Sequence, residues 1–179
     1  MARVKYVLKA RKDNPVCKAG EPYYWWAFRF GGKRYSLTPP RPSQLTQSAF
    51  KSGAAAMSET VEDFSGNVDD LADFRDDLVN QARELSEMAG ESFENMPEGL
   101  QQGDTGLMLE ERRDGMEEIA DTLEGIDLEF DEDEARSAAG EADENASPED
   151  VENRLDEARE EWGVEKQTEI EGAVEYGGS

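Results

Sequence analysis

The chain has no histidine and a single cysteine, Cys17, among its 179 residues. The first absence removes the commonest general base, the Ser-His and Cys-His nucleophile pairs and the usual zinc ligand. The second excludes an intramolecular disulfide, and the two together exclude a structural zinc site. One unpaired thiol fits a reducing, intracellular setting. Long apolar runs are missing too. No stretch approaches the ~18–20 residues that span a bilayer, and the opening Met-Ala-Arg-Val-Lys-Tyr lacks the apolar core of a signal peptide. A cytoplasmic protein with no membrane contact is expected. Hydrophobic residues are scarce as well, 36% against 35% charged, so little apolar area is available to offset the entropy of ordering the chain.

What the sequence does have is a charge boundary near residue 51. Residues 1–51 hold eleven Lys or Arg against two acids, a net of +9, and nine of the fifteen aromatics. Residues 52–179 hold eight Lys or Arg against forty-one acids, a net of −33, and Lys166 is their one lysine. A small basic aromatic module is joined to a long acidic one. The net charge of −24 makes the whole chain self-repelling and soluble.

Val4–Ala10 alternates around Val4, Tyr6 and Leu8 as a strand does. The Pro- and Gly-bearing stretch 11–22 reads as a loop. Tyr23–Phe30, Gly31-Gly32 and Lys33–Thr38 then read as a tight hairpin, because glycine accepts the positive φ of such turns. With Val4–Ala10 this predicts a three-stranded antiparallel sheet over 1–42, left by Thr38-Pro39-Pro40-Arg41-Pro42 as extended chain. Ser43 is a candidate N-cap for the helical part.

From Met57 the apolar residues step by four and three: Met57, Val61, Phe64, Val68, Leu71, Leu78, Ala82, Leu85 and Ala89, with Arg75 in the missing seam position. That spacing is coiled-coil-like, weakened at Gly53 and Gly66 by about 1 kcal/mol each. Residues 90–105 break the helix. A second helix from Thr105 to Glu124, with a seam of Leu109, Met116, Ile119, Leu123 and Ile126, should fold back on the first as an antiparallel hairpin within 43–126. Residues 127–146 read as an acidic linker. Within 147–179, Ser147-Pro148-Glu149-Asp150 restarts a helix with an apolar stripe at Val151, Leu155, Ala158 and Trp162, expected to end near Gly163 and leave a frayed tail. The fold class is α+β.

Two surfaces are candidates for function. In the head, bases stack on aromatic rings and cations neutralise phosphates, which points to Trp25 or Trp26 for stacking and to Arg29, Lys33, Arg34 and Arg41 for phosphate contact. In the body, residues 57–89 carry ten acids, over about 50 Å if helical throughout. That density is in range of one DNA strand, one charge per ~3.4 Å, if a second helix contributes. Asp69, Asp70, Asp73, Asp76 and Asp77 would form a face for a protein partner or imitate DNA. A calcium loop from Asp127 fails, because Glu132 and Ala138 stand where Gly and Glu are needed. Cys17 beside Lys18 has no base near it in sequence except carboxylates. No cofactor and no catalytic residue is indicated.

Trp26-Ala27-Phe28-Arg29-Phe30-Gly31-Gly32-Lys33-Arg34-Tyr35 resembles the aromatic strand, Gly-Gly-Lys-Arg-like turn and second strand of the small N-terminal modules of phage tyrosine recombinases. The resemblance covers about twenty residues and implies binding to arm-type DNA sites. Nothing in the chain resembles the recombinase catalytic domain. Tyr23-Tyr24-Trp25-Trp26, the stretch Pro39–Ser48, and Asn95–Gly103 are similar to segments of phage and prophage proteins. That likeness implies an accessory phage protein in a host cell, and no activity. The expectation is therefore a non-enzymatic accessory protein. Its head contacts nucleic acid, and its acidic helices hold a host protein or a second copy. The alternatives are an acidic DNA mimic that blocks a host DNA-binding or defence protein, and a coiled-coil assembly protein.

Overall fold

The computed structural model describes residues 2–141 and 147–176. The chain is α+β and divides into two compact units, Met1–Glu59 and Thr60–Ser179.

In the first unit β1 (Lys5–Val7), β2 (Tyr23–Ala27) and β3 (Lys33–Ser36) form an antiparallel sheet in the order β1-β2-β3. The register pairs Lys5 with Trp25 and Val7 with Tyr23, then Trp25 with Tyr35, Trp26 with Arg34 and Ala27 with Lys33. Directly paired residues share a face. One face therefore carries Lys5, Val7, Tyr23, Trp25, Ala27, Lys33 and Tyr35, and the other carries Tyr6, Tyr24, Trp26, Arg34 and Ser36. The connection differs from the expected two-residue turn. β2 stops at Ala27, so Phe28–Gly32 is a five-residue loop, closed by the Gly31 N–H donating to the Phe28 carbonyl at 3.3 Å. Neither Gly31 nor Gly32 has a positive φ. The wider loop removes the steric demand that a tight primed turn would have placed on them.

The β1–β2 connection is held by its own polar groups. Asn14 Oδ1 accepts from the N–H of Val16 and Cys17, Asp13 Oδ1 from Ala19 and Glu21 Oε2 from Lys18, while Gly20 turns the chain at φ +97°. Cys17 is buried there, its sulfur 3.1 Å from Asn14 Nδ2.

After the extended Arg41, a 3-10 turn at Pro42–Leu45 precedes α1 (Ala49–Asp63). Ser43 is not the helix cap. Ser48 opens α1, accepting from the Ser52 N–H at 2.9 Å. Ser43 is instead clamped: its N–H and hydroxyl donate to the two carboxylate oxygens of the buried Glu59 at 2.8 and 2.9 Å, and its carbonyl accepts from Ser52 Oγ. Two hydrogen bonds offset the desolvation of that carboxylate.

The continuous helix expected over 57–89 is broken. α1 ends at Asp63, Gly66 sits at φ +77°, and Asn67 caps a 3-10 turn at Val68–Asp70 that leads into α2 (Leu71–Glu94). Ser-Gly-Asn is a helix-stop sequence, and it outweighs the apolar repeat that spans it.

In the second unit α2 packs antiparallel to α4 (Asp104–Glu124) across the short α3 (Glu98–Gln101). Arg75 lies beside Ile126, Arg83 beside Glu124 and Gly90 beside Arg113. The seam is Leu71, Phe74, Leu78, Ala82, Leu85 and Ala89 against Ile119, Ala120, Leu123 and Ile126, all buried. Leu109 and Met116 are half-buried. Arg75, at the polar position of the seam, is half-buried. It reaches to the C-terminal end of α4 and donates to the Ile126 carbonyl at 3.1 Å, where a cation also meets the negative end of the helix dipole.

Within 127–146, residues Glu132–Glu141 form α5, which packs on α6 (Pro148–Tyr176) through Arg154 donating to the Ala139 carbonyl and the Arg136–Glu152 pair. Ser147 caps α6 in a reciprocal box with Asp150. α6 runs through Gly163 rather than ending there. Gly163 is buried against Val68, with Leu155 and Ile170 buried on the same helix. The helix continues to Tyr176, and the expected frayed end at 177–179 lies outside the described residues. Among the described residues no helix is long and apolar enough to cross a membrane.

Candidate nucleic-acid interface

Each aromatic of the hairpin has a distinct environment. Trp26 is 3% exposed, and its indole N–H donates to the Gln44 carbonyl at 3.1 Å. It anchors the sheet to the 3-10 turn and offers no ring face to a ligand, so stacking by Trp26 is ruled out. Trp25, half-buried on the opposite face, lies under two ammonium groups: Lys33 Nζ is 4.8 Å and Lys5 Nζ 5.1 Å from its ring centroid. Tyr23 and Tyr35 approach each other on the same face at 6.0 Å. Trp25 is thus a seat for two cations before it is a platform for a base.

The remaining hairpin cations are held the same way. The Arg29 guanidinium lies 5.2 Å from the Phe30 centroid and that of Arg34 5.4 Å from the Phe28 centroid. Lys5, Arg29, Lys33 and Arg34 are exposed, and none pairs with a carboxylate among the described residues. The three acids of the first unit are occupied elsewhere. Asp13, Glu21 and Glu59 accept from backbone N–H groups of Ala19, Lys18 and Ser43. With eleven Lys or Arg against three acids, this unit carries +8 that its own carboxylates leave uncompensated. Arg41 is exposed just before the 3-10 turn, its N–H donating to Gln44 Oε1.

The structure brings Lys33 and Trp25 together. It places Arg34 on the opposite face and Arg29 in the loop, and it adds Lys5, which the sequence reading passed over. Lys5 reaches Trp25 only because β1 pairs with β2 in this register, and the fifteen residues between the strands hide that register from the sequence. Phe30 was missed for another reason. It reads as the last residue of a strand, whereas β2 stops at Ala27 and Phe30 lies in the loop, 86% exposed.

The acidic candidates in the second unit are divided. Asp69 pairs with Arg159 at 2.6 Å, Asp76 with Arg75 at 2.8 Å, and Asp70 accepts from Asn67 Nδ2. Asp70, Asp73, Asp76 and Asp77 line an open groove of about 760 Å³ beside Phe64 and Phe74, whose rings stack at 4.0 Å. The break at Gly66 interrupts the straight ladder of charges expected over 57–89. Among the described residues no three acidic or cysteine side chains are disposed to hold a metal ion.

No protein-family model, no curated protein and no solved structure matches the chain.

Proposed function

We propose that the protein is a non-enzymatic accessory factor of the phage type. Its first unit binds nucleic acid through the cations of the β2–β3 hairpin and Lys5, and its acidic helical unit holds a protein partner or a second copy. The observation that carries the reading is the set of four exposed cations lying over aromatic rings with no carboxylate partner. Cation–π contact, worth ~0.5–1 kcal/mol at exposed sites, orients each charge without neutralising it. A polyanion then meets charges already placed, and binding releases its condensed counterions.

The test is a salt titration of the full-length protein with labelled oligonucleotides, following anisotropy. Affinity should fall steeply with salt. Replacing Lys33 and Arg34 together by Ala should weaken binding and flatten the log–log slope by about 1.4 for a single strand or about 1.8 for a duplex, two contacts' worth. No binding at low salt, or binding with no salt slope, defeats the reading.

A DNA-mimic role for the second unit is favoured by a different observation. Eight Lys or Arg face forty acids there, and Arg75, Arg83, Arg113, Arg136, Arg159 and Lys166 are all paired internally, leaving a large surplus of negative charge. Asp73 and Asp77 to Asn should then abolish capture of a host DNA-binding protein, while the Lys33 and Arg34 variant keeps it. The two sets of variants, compared in one binding experiment, separate the readings.

A further inference from the structure

The hairpin loop carries an aromatic ring in the wrong place for stability. Phe30 is 86% exposed, and no other large apolar side chain among the described residues exceeds the 68% of Leu8. Turn positions ordinarily take Gly, Asn, Asp or Ser, and a phenylalanine left in water forgoes the burial that makes the residue favourable in a fold. The loop is nonetheless closed and defined by the Gly31 N–H to Phe28 carbonyl bond. Gly31 and Gly32, next in sequence, bring no side chain that could cover the ring, and the Arg29 guanidinium stands 5.2 Å from the ring centroid. The result is a largely exposed aromatic ring in the hairpin loop, with Arg29, Lys33 and Arg34 all exposed within four residues of it.

We propose that Phe30 is the base-stacking residue of this protein and that its ligand is single-stranded nucleic acid. The inference rests on the nucleic-acid reading above and deepens it. Of the two tryptophans, Trp26 is sealed and Trp25 is half-buried under two lysines, whereas Phe30 is 86% exposed with one cation near its ring. Cations around it take the phosphates on either side of the stacked base. A single strand is favoured over a duplex on energetic grounds. Inserting a ring between paired bases costs a few kcal/mol of unstacking per step, which architectural proteins offset with an extensive wrapped surface. A five-residue loop on strands of three to five residues offers no such surface. An unpaired base requires no unstacking from a partner strand, and any base has a π-face to offer.

The experiment uses full-length protein and labelled oligothymidylate, with a duplex of equal length in parallel. Phe30→Ala and Phe30→Leu should each weaken oligothymidylate binding by roughly 5- to 150-fold, the range for loss of one base–aromatic stack. The salt slope should stay unchanged, because every cation remains. Phe30→Trp should restore affinity. The position is exposed, so these variants should fold as the parent does. Wild-type affinity in Phe30→Ala, alongside weakened binding in the Lys33 and Arg34 variant, overturns the role of Phe30 and leaves the nucleic-acid reading standing. Full affinity in Phe30→Leu overturns stacking in favour of simple apolar contact. Tighter binding to the duplex than to oligothymidylate overturns the single-strand assignment. Absence of binding to either by the parent protein overturns the reading beneath both.

Discussion

Two glycines of α4 should respond to the same substitution with opposite signs. Gly115 lies in the helix interior, and a Cβ built on it meets nothing within 4 Å. Gly115→Ala should therefore realise the helix-propensity difference, about 1 kcal/mol of stabilisation. Gly106 lies in the first turn and is buried. A Cβ there would overlap the Gln101 carbonyl oxygen and stand 2.7 Å from Gln101 Cα. The obstacle is backbone, so relief requires moving α3 itself. Overpacking of this kind costs ~1–3 kcal/mol, and the first turn returns less than the full propensity gain. Gly106→Ala should be destabilising by about 1–2 kcal/mol. For a unit of this size each kcal/mol shifts Tm by roughly 3–5 °C, so the two variants should melt about 6–15 °C apart by far-UV circular dichroism. A Tm for Gly106→Ala at or above that of Gly115→Ala would refute the close approach of α3 to α4. Gly163 supplies an internal check, since the atom that a Cβ would strike belongs to the Val68 side chain. Gly163→Ala should be neutral or destabilising alone and stabilising by about 1 kcal/mol once Val68 is also Ala, a coupling that a double-mutant cycle measures.

Leu78→Asp places a charge at a position with no exposed surface and should cost several kcal/mol, enough to abolish most of the helical signal of the second unit, whereas Leu107→Asp, on the exposed side of α4, should stay within about 0.5 kcal/mol. Unchanged melting in Leu78→Asp would show that α2 and α4 do not pack as described. The Asp150 carboxyl is held below its ordinary range, chiefly by its hydrogen bonds from the Ser147 side chain and backbone. Its folded pKa is depressed, so its support for the start of α6 is complete above the unfolded carboxylate pKa and is lost as pH falls through the folded value. The Ser147 and Asp150 amide resonances should report that loss on acidification, and Asp150→Asn should remove the titration. A local probe is needed, because protonating the surplus acids relieves repulsion and acts in the opposite direction on the whole unit.

Features set by local pattern and composition were legible before any folding. The β-prone runs on either side of Gly31-Gly32 specified a hairpin, the four- and three-residue steps from Leu71 to Ala89 specified the buried edge of α2, and Ser147-Pro148-Glu149-Asp150 specified the start of α6. The division of charge needed only counting. Tertiary structure decided the rest, because these features depend on residues distant in sequence. Gly163 is tolerated within α6 since Val68 occupies the space a side chain would need, so a residue that reads as a stop becomes a contact. Glu59 is buried because Ser43 supplies two donors from sixteen residues away. The fate of each hairpin aromatic was likewise a matter of register and loop length. Strand geometry points neighbouring residues such as Trp25 and Trp26 to opposite faces, but only the pairing of three strands and the cover beyond Arg41 chose Trp26 for burial, set two lysines over Trp25, and left Phe30 in water.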